Sequence, residues 1–320
     1  MSHEHRIGRR EALVRLSSAG LAVAGVATGA LGFADRRTAS AAVSALRDWR
    51  VATPGEGARA VAARGANPAD NVRRALTALG GVERFVKRGE VVLVKPNVGW
   101  DRLPEQAANT DPRVVAEIVR QARAAGARRV VVADISCNDP GRCFDRSGIL
   151  AAAGQAGAEV LDGRHVKMVS ANLSGAAAGL QVFAPLLEAD RVINVPIAKH
   201  HGLSRVTLGM KNWFGVLDRG RNRLHQDIDR CLAELGAMFR PTLTVVDATR
   251  VLLGNGPQGG SLSDVKDVGA VAVSVDPVLC DAWGAVQLGV DPSSLGFIRN
   301  AERAGLGRSD LALVREIGKA

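Results

Sequence analysis

Residues 91–134 read VVLVKPNVGWDRLPEQAANTDPRVVAEIVRQARAAGARRVVVAD, and this segment indicates the fold class by itself. The apolar run 91–94 is typical of a short buried strand. Asp111-Pro112 then begins a helix over residues 113–125, because proline is favoured in the first helical turn. A second apolar run at 130–134 predicts another strand. A strand, a helix and a strand in this order favour parallel pairing, with the helix packed on the sheet.

The same alternation continues on both sides of this segment. Asn67 is placed to cap a helix that starts at Pro68. Further strands are predicted at residues 159–161, 191–196, 242–247 and 269–275. We therefore predict an α/β fold, with a mostly parallel sheet covered by helices and two Rossmann-like lobes around a central cleft. The predicted parts are a linker or lead-in (42–67), an N-terminal α/β lobe (68–180) and a C-terminal α/β lobe (181–320).

The composition limits the classes of ligand. The chain has 320 residues, 47% of them hydrophobic, which is enough to bury a large core. The net charge is +10, but only 3% of the residues are aromatic and none is tyrosine. Its arginines are scattered, with no long basic run, so we expect no nucleic-acid binding. A small anionic ligand or a solvated basic surface accounts for the positive net charge equally well.

The N-terminal residues resemble a twin-arginine export signal over residues 1–41. The sequence GRREALVR at 8–15 precedes a weakly apolar stretch at 17–34, and Ala39-Ser40-Ala41 fits a cleavage site. The resemblance implies that the chain folds before export, with the Tat translocase as a partner and a periplasmic or other extracytoplasmic location. The alternative is a membrane anchor, if the signal stays uncleaved, since about 18 apolar residues suffice to span a bilayer.

The four cysteines form no compact ligand run. An iron–sulfur cluster held by this chain alone is therefore not expected. Cys137 and Cys143 enclose a turn-rich loop, and the sequence leaves open whether they form a disulfide or remain thiols.

Polar residues recur where the predicted strands end. Lys95 and Asn97 follow the first strand and Asp134 ends the second. Further along, Lys199-His200-His201, Asp247 and Asp276 stand at or after later strand ends. Because ligands bind at the carboxyl edge of such sheets, we predict a site there. Asp276 is also a natural helix N-cap.

Seven short motifs occur in a fixed order between residues 90 and 290. They are VKPN (94–97), NTDP (109–112), DRVINVP (190–196), KHHG (199–202), TLGMKN (207–212), GNGP (254–257) and DP (276–277). This series resembles the domain of unknown function 362 (DUF362) family. Some relatives carry an added ferredoxin-like module of clustered cysteines, which this sequence lacks.

A divalent metal is one hypothesis for the site. Imidazole and carboxylate ligands suit zinc, iron, manganese or nickel, and the candidate ligands are His200, His201, Asp134 and Asp247. The alternative is that these histidines make structural hydrogen bonds.

Lysines in loops after apolar segments suit an anion. The candidates for binding an anion or cofactor are Lys95, Asn97, Thr110, Asn212, Gly254, Asn255, Gly256 and Gly259, the glycines supplying backbone N–H groups. The candidate catalytic residues are Lys199, His200, Lys211 and Asp281.

Two functions remain open. The first is an exported metal- or cofactor-dependent enzyme, of oxidoreductase or isomerase type, acting on a small anionic substrate. The alternative is a non-catalytic accessory protein that binds an anion or delivers a cofactor to a partner protein of a redox complex.

Overall fold

The computed structural model describes residues 45–52, 59–164 and 166–318. Its strands are β1 (Ala60–Arg64), β2 (Val91–Pro96), β3 (Arg129–Ala133), β4 (Glu159–Leu161), β5 (Met168–Ser170), β6 (Gln181–Phe183), β7 (Arg191–Val195), β8 (Ile197–His201), β9 (Arg205–Thr207), β10 (Leu243–Leu252), β11 (Val265–Ser274) and β12 (Val314–Ile317). Its α-helices are α1 (Pro68–Ala78), α2 (Pro112–Ala124), α3 (Pro140–Arg146), α4 (Ile149–Gln155), α5 (Ala184–Glu188), α6 (Gly209–Asn212), α7 (Ile228–Met238), α8 (Pro277–Gln287) and α9 (Gly296–Arg303).

Asparagine and aspartate side chains begin the main helices, as the sequence predicts. Asn67 accepts hydrogen bonds from the first N–H groups of α1, Asp111 from α2 and Asp276 from α8. Each of these helices has proline at its first position, where an N–H group would lack a partner. The three predicted helix starts are confirmed.

Within the described residues the main sheet has ten strands, and its central path runs β12-β1-β11-β10-β7-β2-β3-β4. Strands β10, β7, β2, β3 and β4 are paired in parallel, while β11 runs antiparallel to both β10 and β1. The mostly parallel α/β fold is confirmed. Strands from both predicted lobes are neighbours in this sheet, for example β2 and β7. The lobe boundary predicted at residue 180 therefore does not separate two sheets. β1 lies within the predicted linker, so residues 60–64 are part of the sheet.

Apolar side chains cover both faces of the sheet. In β2, Val92 and Val94 pack into one core while Leu93 packs into the other, because successive strand residues point to opposite faces. Helices α1, α2 and α4 contribute to the first core, and α7, α8 and α9 to the second. Burial on both faces explains why the strands read as continuous apolar runs.

The chain passes from β7 to β8 through Pro196, and both strands pair in parallel with the ten-residue β10. β9 then pairs antiparallel with β8. The second half of β10 therefore extends the sheet beyond the end of β7. This places Lys199 and His201, on β8, above the carboxyl ends of β2 and β7.

The predicted export signal, residues 1–41, lies outside the described residues. Within the part of the chain that the structure describes, no helix is both long and apolar enough to cross a bilayer.

Candidate functional site

A cavity of about 410 Å³ lies at the carboxyl edge of the sheet. Its walls come from the loops after β2 and β3, from β8 and the turn after it, and from residues between 207 and 225; Gly256 and Pro257 close one side. This volume suits a small organic ligand. The predicted position of the site at the ends of parallel strands matches the position of this cavity.

Lys95 and Asp134 form a buried ion pair at the floor of the site. Lys95 Nζ lies 2.6 Å from Asp134 Oδ1, and it also donates to the carbonyl oxygen of Pro96 at 2.7 Å. The other oxygen of Asp134 accepts the N–H of Val98 at 2.6 Å. Burial lowers the pKa of Lys95 although Asp134 opposes the shift. With these partners the pair holds the loops after β2 and β3 together.

Two buried amides, Asn194 and Asn212, and the half-buried Asn97 link the strands beneath the cavity. Asn194 on β7 accepts the Nδ2–H of Asn212 at 2.8 Å, and Asn212 Oδ1 accepts from Asn97 Nδ2 at 3.0 Å. Asn97 Oδ1 in turn accepts from Lys199 Nζ at 3.0 Å. Asn194 is the residue that sequence reasoning missed in this chain of amides. The sequence feature that could have identified Asn194 is an amide inside an otherwise apolar strand, because a buried polar group needs a hydrogen-bond partner.

Lys199 is 1% exposed and donates to two oxygen atoms. Besides Asn97, its Nζ donates to the carbonyl oxygen of Ala108 at 2.5 Å. Burial lowers its pKa to about 7, and nearby Lys95 adds to the shift. When an amine donates two hydrogen bonds, it has one further N–H for a ligand in its charged form and a free lone pair in its neutral form.

Among the described residues, the Lys211 side chain has an aromatic neighbour in the cavity but no polar partner. It lies on α6, is 8% exposed and lines the cavity. Its Nζ lies 3.5 Å from the centroid of the Phe214 ring, and among the described residues no atom accepts a hydrogen bond from it and no carboxylate pairs with it. Burial lowers its pKa to about 7; Arg221, Lys199 and Lys95 add to the shift and Cys137 opposes it. The amine is therefore available to a ligand.

His201 presents a fixed N–H group to the cavity. Its Nδ1 accepts the backbone N–H groups of Leu203 at 3.1 Å and Ser204 at 3.3 Å. Burial and the nearby cations Lys211 and Lys199 lower its pKa to about 3, so the ring is neutral at pH 7. A neutral ring with an accepting Nδ1 carries its proton on Nε2. His201 is thus a hydrogen-bond donor at Nε2.

Residues 92–286 match the family model described as domain of unknown function (DUF362). The match covers more than half of the chain. The chain belongs to the DUF362 family. All the cavity-lining residues lie inside this DUF362 domain.

Two further similarities extend beyond the family model. The chain is 28% identical over 244 residues to a thylakoid-associated protein of Synechocystis sp., in an alignment that covers 74% of each protein. A solved structure of a Thermotoga maritima protein aligns with 75% of this chain and 60% of its own length, at 10% identity and a TM-score of 0.34.

The DUF362 domain does not bring the predicted metal ligands together. Among the described residues, no three His, Cys, Asp or Glu side chains are grouped to hold a metal ion. His200 Nδ1 accepts the N–H of Gly256 at 3.0 Å, just as His201 Nδ1 accepts the N–H of Leu203. In both rings the Nδ1 lone pair is therefore used, and a neutral ring carries its proton on Nε2. Asp134 pairs with Lys95. Within the described residues, His200, His201, Asp134 and Asp247 therefore do not form one group of metal ligands.

Three other predicted site residues support the backbone and do not line the cavity. Asp247 is fully buried and accepts the N–H groups of Asp111 at 2.7 Å and Thr249 at 2.9 Å; burial and nearby Asp111 raise its pKa to about 6. His200 holds the 254–260 loop through Gly256. Thr110 accepts the N–H of Asn97 and donates to the carbonyl oxygen of Val195 at 2.8 Å, so it joins β2 to β7.

Asp281 belongs to this supporting group as well. Its carboxylate, on α8, accepts the N–H groups of Gly209 and Met210, which begin α6. Burial raises its pKa to about 7, against the effect of these two hydrogen bonds. Asp281 therefore positions the helix that carries Lys211 and does not touch the cavity. The residues around Asp281 in the sequence gave no sign of this role.

The glycine-rich loop forms a wall and not an anion cradle. Of Gly254, Asn255, Gly256 and Gly259, Gly256 alone lines the cavity, and its N–H is used by His200. A Cβ at Gly256 would collide with the carbonyl oxygen of His200. The Asn255 side chain donates to Asp264 at 2.9 Å, and the N–H of Gly259 donates to the Asn255 carbonyl oxygen. The backbone N–H groups of Gly256 and Gly259 are therefore already used within the protein.

Cys137 and Cys143 are both free thiols, which answers the disulfide question. Cys143 is buried in the core on α3, whereas Cys137 is exposed and lines the cavity. Arg221, which sequence reasoning missed, donates to the carbonyl oxygens of Phe214 at 2.7 Å and Ile135 at 3.0 Å. It lies in a 3₁₀ helix, Arg219–Asp227, which the sequence analysis did not predict.

Proposed function

We propose that the DUF362 domain binds a small anionic substrate in this cavity and moves a proton on it, in an enzyme of isomerase type. The observation that carries the proposal is the buried, unpartnered ammonium of Lys211. A buried cation without a counter-ion is costly, and an anionic ligand supplies the missing charge. Lys199 and the Nε2–H of His201 add two more donors on the same cavity.

Two amines with pKa values near 7 support proton transfer. At neutral pH each amine exists partly charged and partly neutral. One can then give a proton while the other accepts one, which is the condition for general acid and base work at pH 7. A metal held by His200 and His201 is not part of this proposal, because both rings lack a free lone pair.

Binding is tested by calorimetry on the purified chain with pyruvate, malate and inorganic phosphate. At least one of these anions is expected to bind, and Lys211→Met to weaken it at least about tenfold, since a charge-assisted hydrogen bond contributes about 1.5–3 kcal/mol. Lys266→Met is the matched control, because Lys266 is exposed on β11 and does not line the cavity. Equal affinities for the two variants, or no binding by the wild type, would contradict the proposal.

Proton transfer is tested in D₂O by proton NMR of the bound acids. Deuterium is expected to enter at carbon beside the carbonyl or carboxylate with wild-type protein and not with Lys211→Met. Binding without exchange favours the second candidate, a non-catalytic anion-binding or cofactor-delivery accessory protein of a redox complex. The mutual hydrogen bonding of Lys95, Asp134 and the three amides favours this candidate, because it leaves few free groups for chemistry.

We also infer that the chain is exported by the twin-arginine pathway to an extracytoplasmic location, or stays anchored if its signal is uncleaved. Arg9-Arg10 and the apolar stretch after them support this, and so does the name of the thylakoid-associated relative. The test compares fractionated cells that express the full chain and the Arg9→Lys, Arg10→Lys variant. Export of the wild type alone is expected; equal export of both would contradict the inference.

A further inference from the structure

The three buried lysines of the site differ in their partners. Lys95 pairs with Asp134, and Lys199 donates to Asn97 and Ala108. Lys211 lies over an aromatic ring, with no acceptor among the described residues. Acceptors already occupy N–H groups of Lys95 and Lys199, whereas the Phe214 face attracts the Lys211 ammonium without taking a hydrogen bond from it, so the Nζ of Lys211 can turn to a ligand in the cavity. Lys211 is therefore the one of these three best placed to act as a nucleophile.

The surroundings of Lys211 also fit an anionic group next to the reacting atom. Lys199 and Arg221 line the same cavity, and His201 has an N–H on Nε2 with no partner among the described residues. These groups suit a carboxylate. The cavity of about 410 Å³ admits a molecule of a few carbon atoms together with its carboxylate.

We infer that Lys211 forms an imine with the carbonyl carbon of a small oxo acid, whose carboxylate is held by Lys199 and the Nε2–H of His201. This inference rests on the proposed function and names the substrate class and the reacting atom. An imine also explains how a proton would be moved, since a protonated imine withdraws electrons and makes the neighbouring C–H more acidic.

The step balances without a further reactant. The Nζ lone pair attacks the carbonyl carbon, and the C=O π electrons move to oxygen to give a carbinolamine. The carbon–oxygen bond then breaks as the nitrogen lone pair forms the C=N bond. The oxygen leaves as water, and the lysine ammonium supplies both hydrogen atoms of that water overall. The net change is ammonium plus carbonyl to protonated imine plus water.

The imine is tested by trapping with hydride. The purified chain is incubated with pyruvate, treated with sodium borohydride and digested, and the peptides are mapped by mass spectrometry. We expect a reduced pyruvate adduct on Lys211 at least about tenfold more abundant than on the exposed Lys87 and Lys266 in the same sample. Mapping in the wild type needs no variant, so a folding defect cannot obscure the result.

Two variants sharpen the assignment. Lys211→Arg keeps a cation but removes the nucleophile, and it is expected to abolish the adduct; Lys266→Arg is expected to keep it. An adduct on Lys199 in place of Lys211, adducts spread over exposed lysines, or no adduct at all would overturn the inference. Calorimetry without hydride separates the two proposals, because pyruvate that binds without a trapped adduct overturns the imine and leaves the anion-binding function standing.

Discussion

Asp281 on α8 accepts the backbone N–H of Gly209 at 2.6 Å and thereby fixes the start of α6, the helix that carries Lys211 and Asn212. The helix is only four residues long, so its first N–H groups have no partner in the helix itself. The carboxylate supplies that partner from another element, with its second oxygen on Met210 at 3.0 Å. A residue outside the cavity thus determines where the cavity's unpartnered amine lies.

Asp281→Asn is expected to destabilise the protein. An asparagine has one accepting oxygen, so its NH₂ group would face one of the two N–H donors, at a cost of about 1–3 kcal/mol. Urea denaturation measures the change in the free energy of unfolding. Asp291→Asn is the control, because Asp291 caps a short turn at the surface, where asparagine caps equally well. A loss no larger than that of the control would contradict the role given to Asp281.

The tautomer of His201 is a second prediction. Nitrogen-15 NMR is expected to show an accepting Nδ1 and a protonated Nε2, and the signals to stay unchanged between about pH 5 and pH 8 because the pKa lies near 3. A short histidine-containing peptide in the same buffer is the reference, and it is expected to titrate near the ordinary pKa of about 6.5. Titration of His201 in this range would show that its environment differs from the one described.

The buried amines predict that stability rises with pH above neutrality. Lys199 and Lys211 have pKa values of about 7 in the folded state and near 10.4 in the unfolded chain. Between these values the unfolded chain binds more protons, so the free energy of unfolding increases with pH. Between about pH 7 and pH 8.5 each amine is expected to contribute about 1–2 kcal/mol.

Denaturation at several pH values measures this slope. Lys211→Met is expected to flatten it and Lys266→Met to leave it unchanged. The chain has no tyrosine, so no phenol titrates near this range. The groups that act on the Lys211 amine are Arg221, Lys199, Lys95 and Cys137. A slope that survives in the Lys211→Met, Lys199→Met double variant would show that other groups cause it.

Gly256→Ala is expected to cost about 1–3 kcal/mol of stability and to weaken anion binding. The added Cβ would collide with the His200 carbonyl oxygen and push the 254–260 loop out of the cavity wall. Thermal denaturation and calorimetry check both effects. The matched control is Gly154→Ala on α4, where nothing lies within 4 Å of the added Cβ and a helical alanine is expected to stabilise. Similar effects of the two changes would contradict the predicted clash.

The fold follows from the sequence because the strands are apolar runs and the helices begin at capped prolines, which are local signals. The residues of the candidate site can be predicted from the sequence only in part. Lys95 and Asn97 lie at the end of β2 as predicted, whereas Lys199 and Lys211, which were predicted in loops, lie on β8 and on α6. Whether an acidic residue such as Asp281 faces a cavity or a backbone N–H depends on distant elements, and a local pattern does not contain that information.

Strands β7 and β8 follow each other in the chain and both pair with β10. This arrangement has an evolutionary consequence. Lys199 lies inside a hydrogen-bonded strand, whereas Trp100 and Leu203, which line the same cavity, lie outside the strands and helices. Loops tolerate change better than sheet positions. Changes in these loops can therefore alter the lining of the cavity in related proteins while the amine at position 199 keeps its place in the sheet.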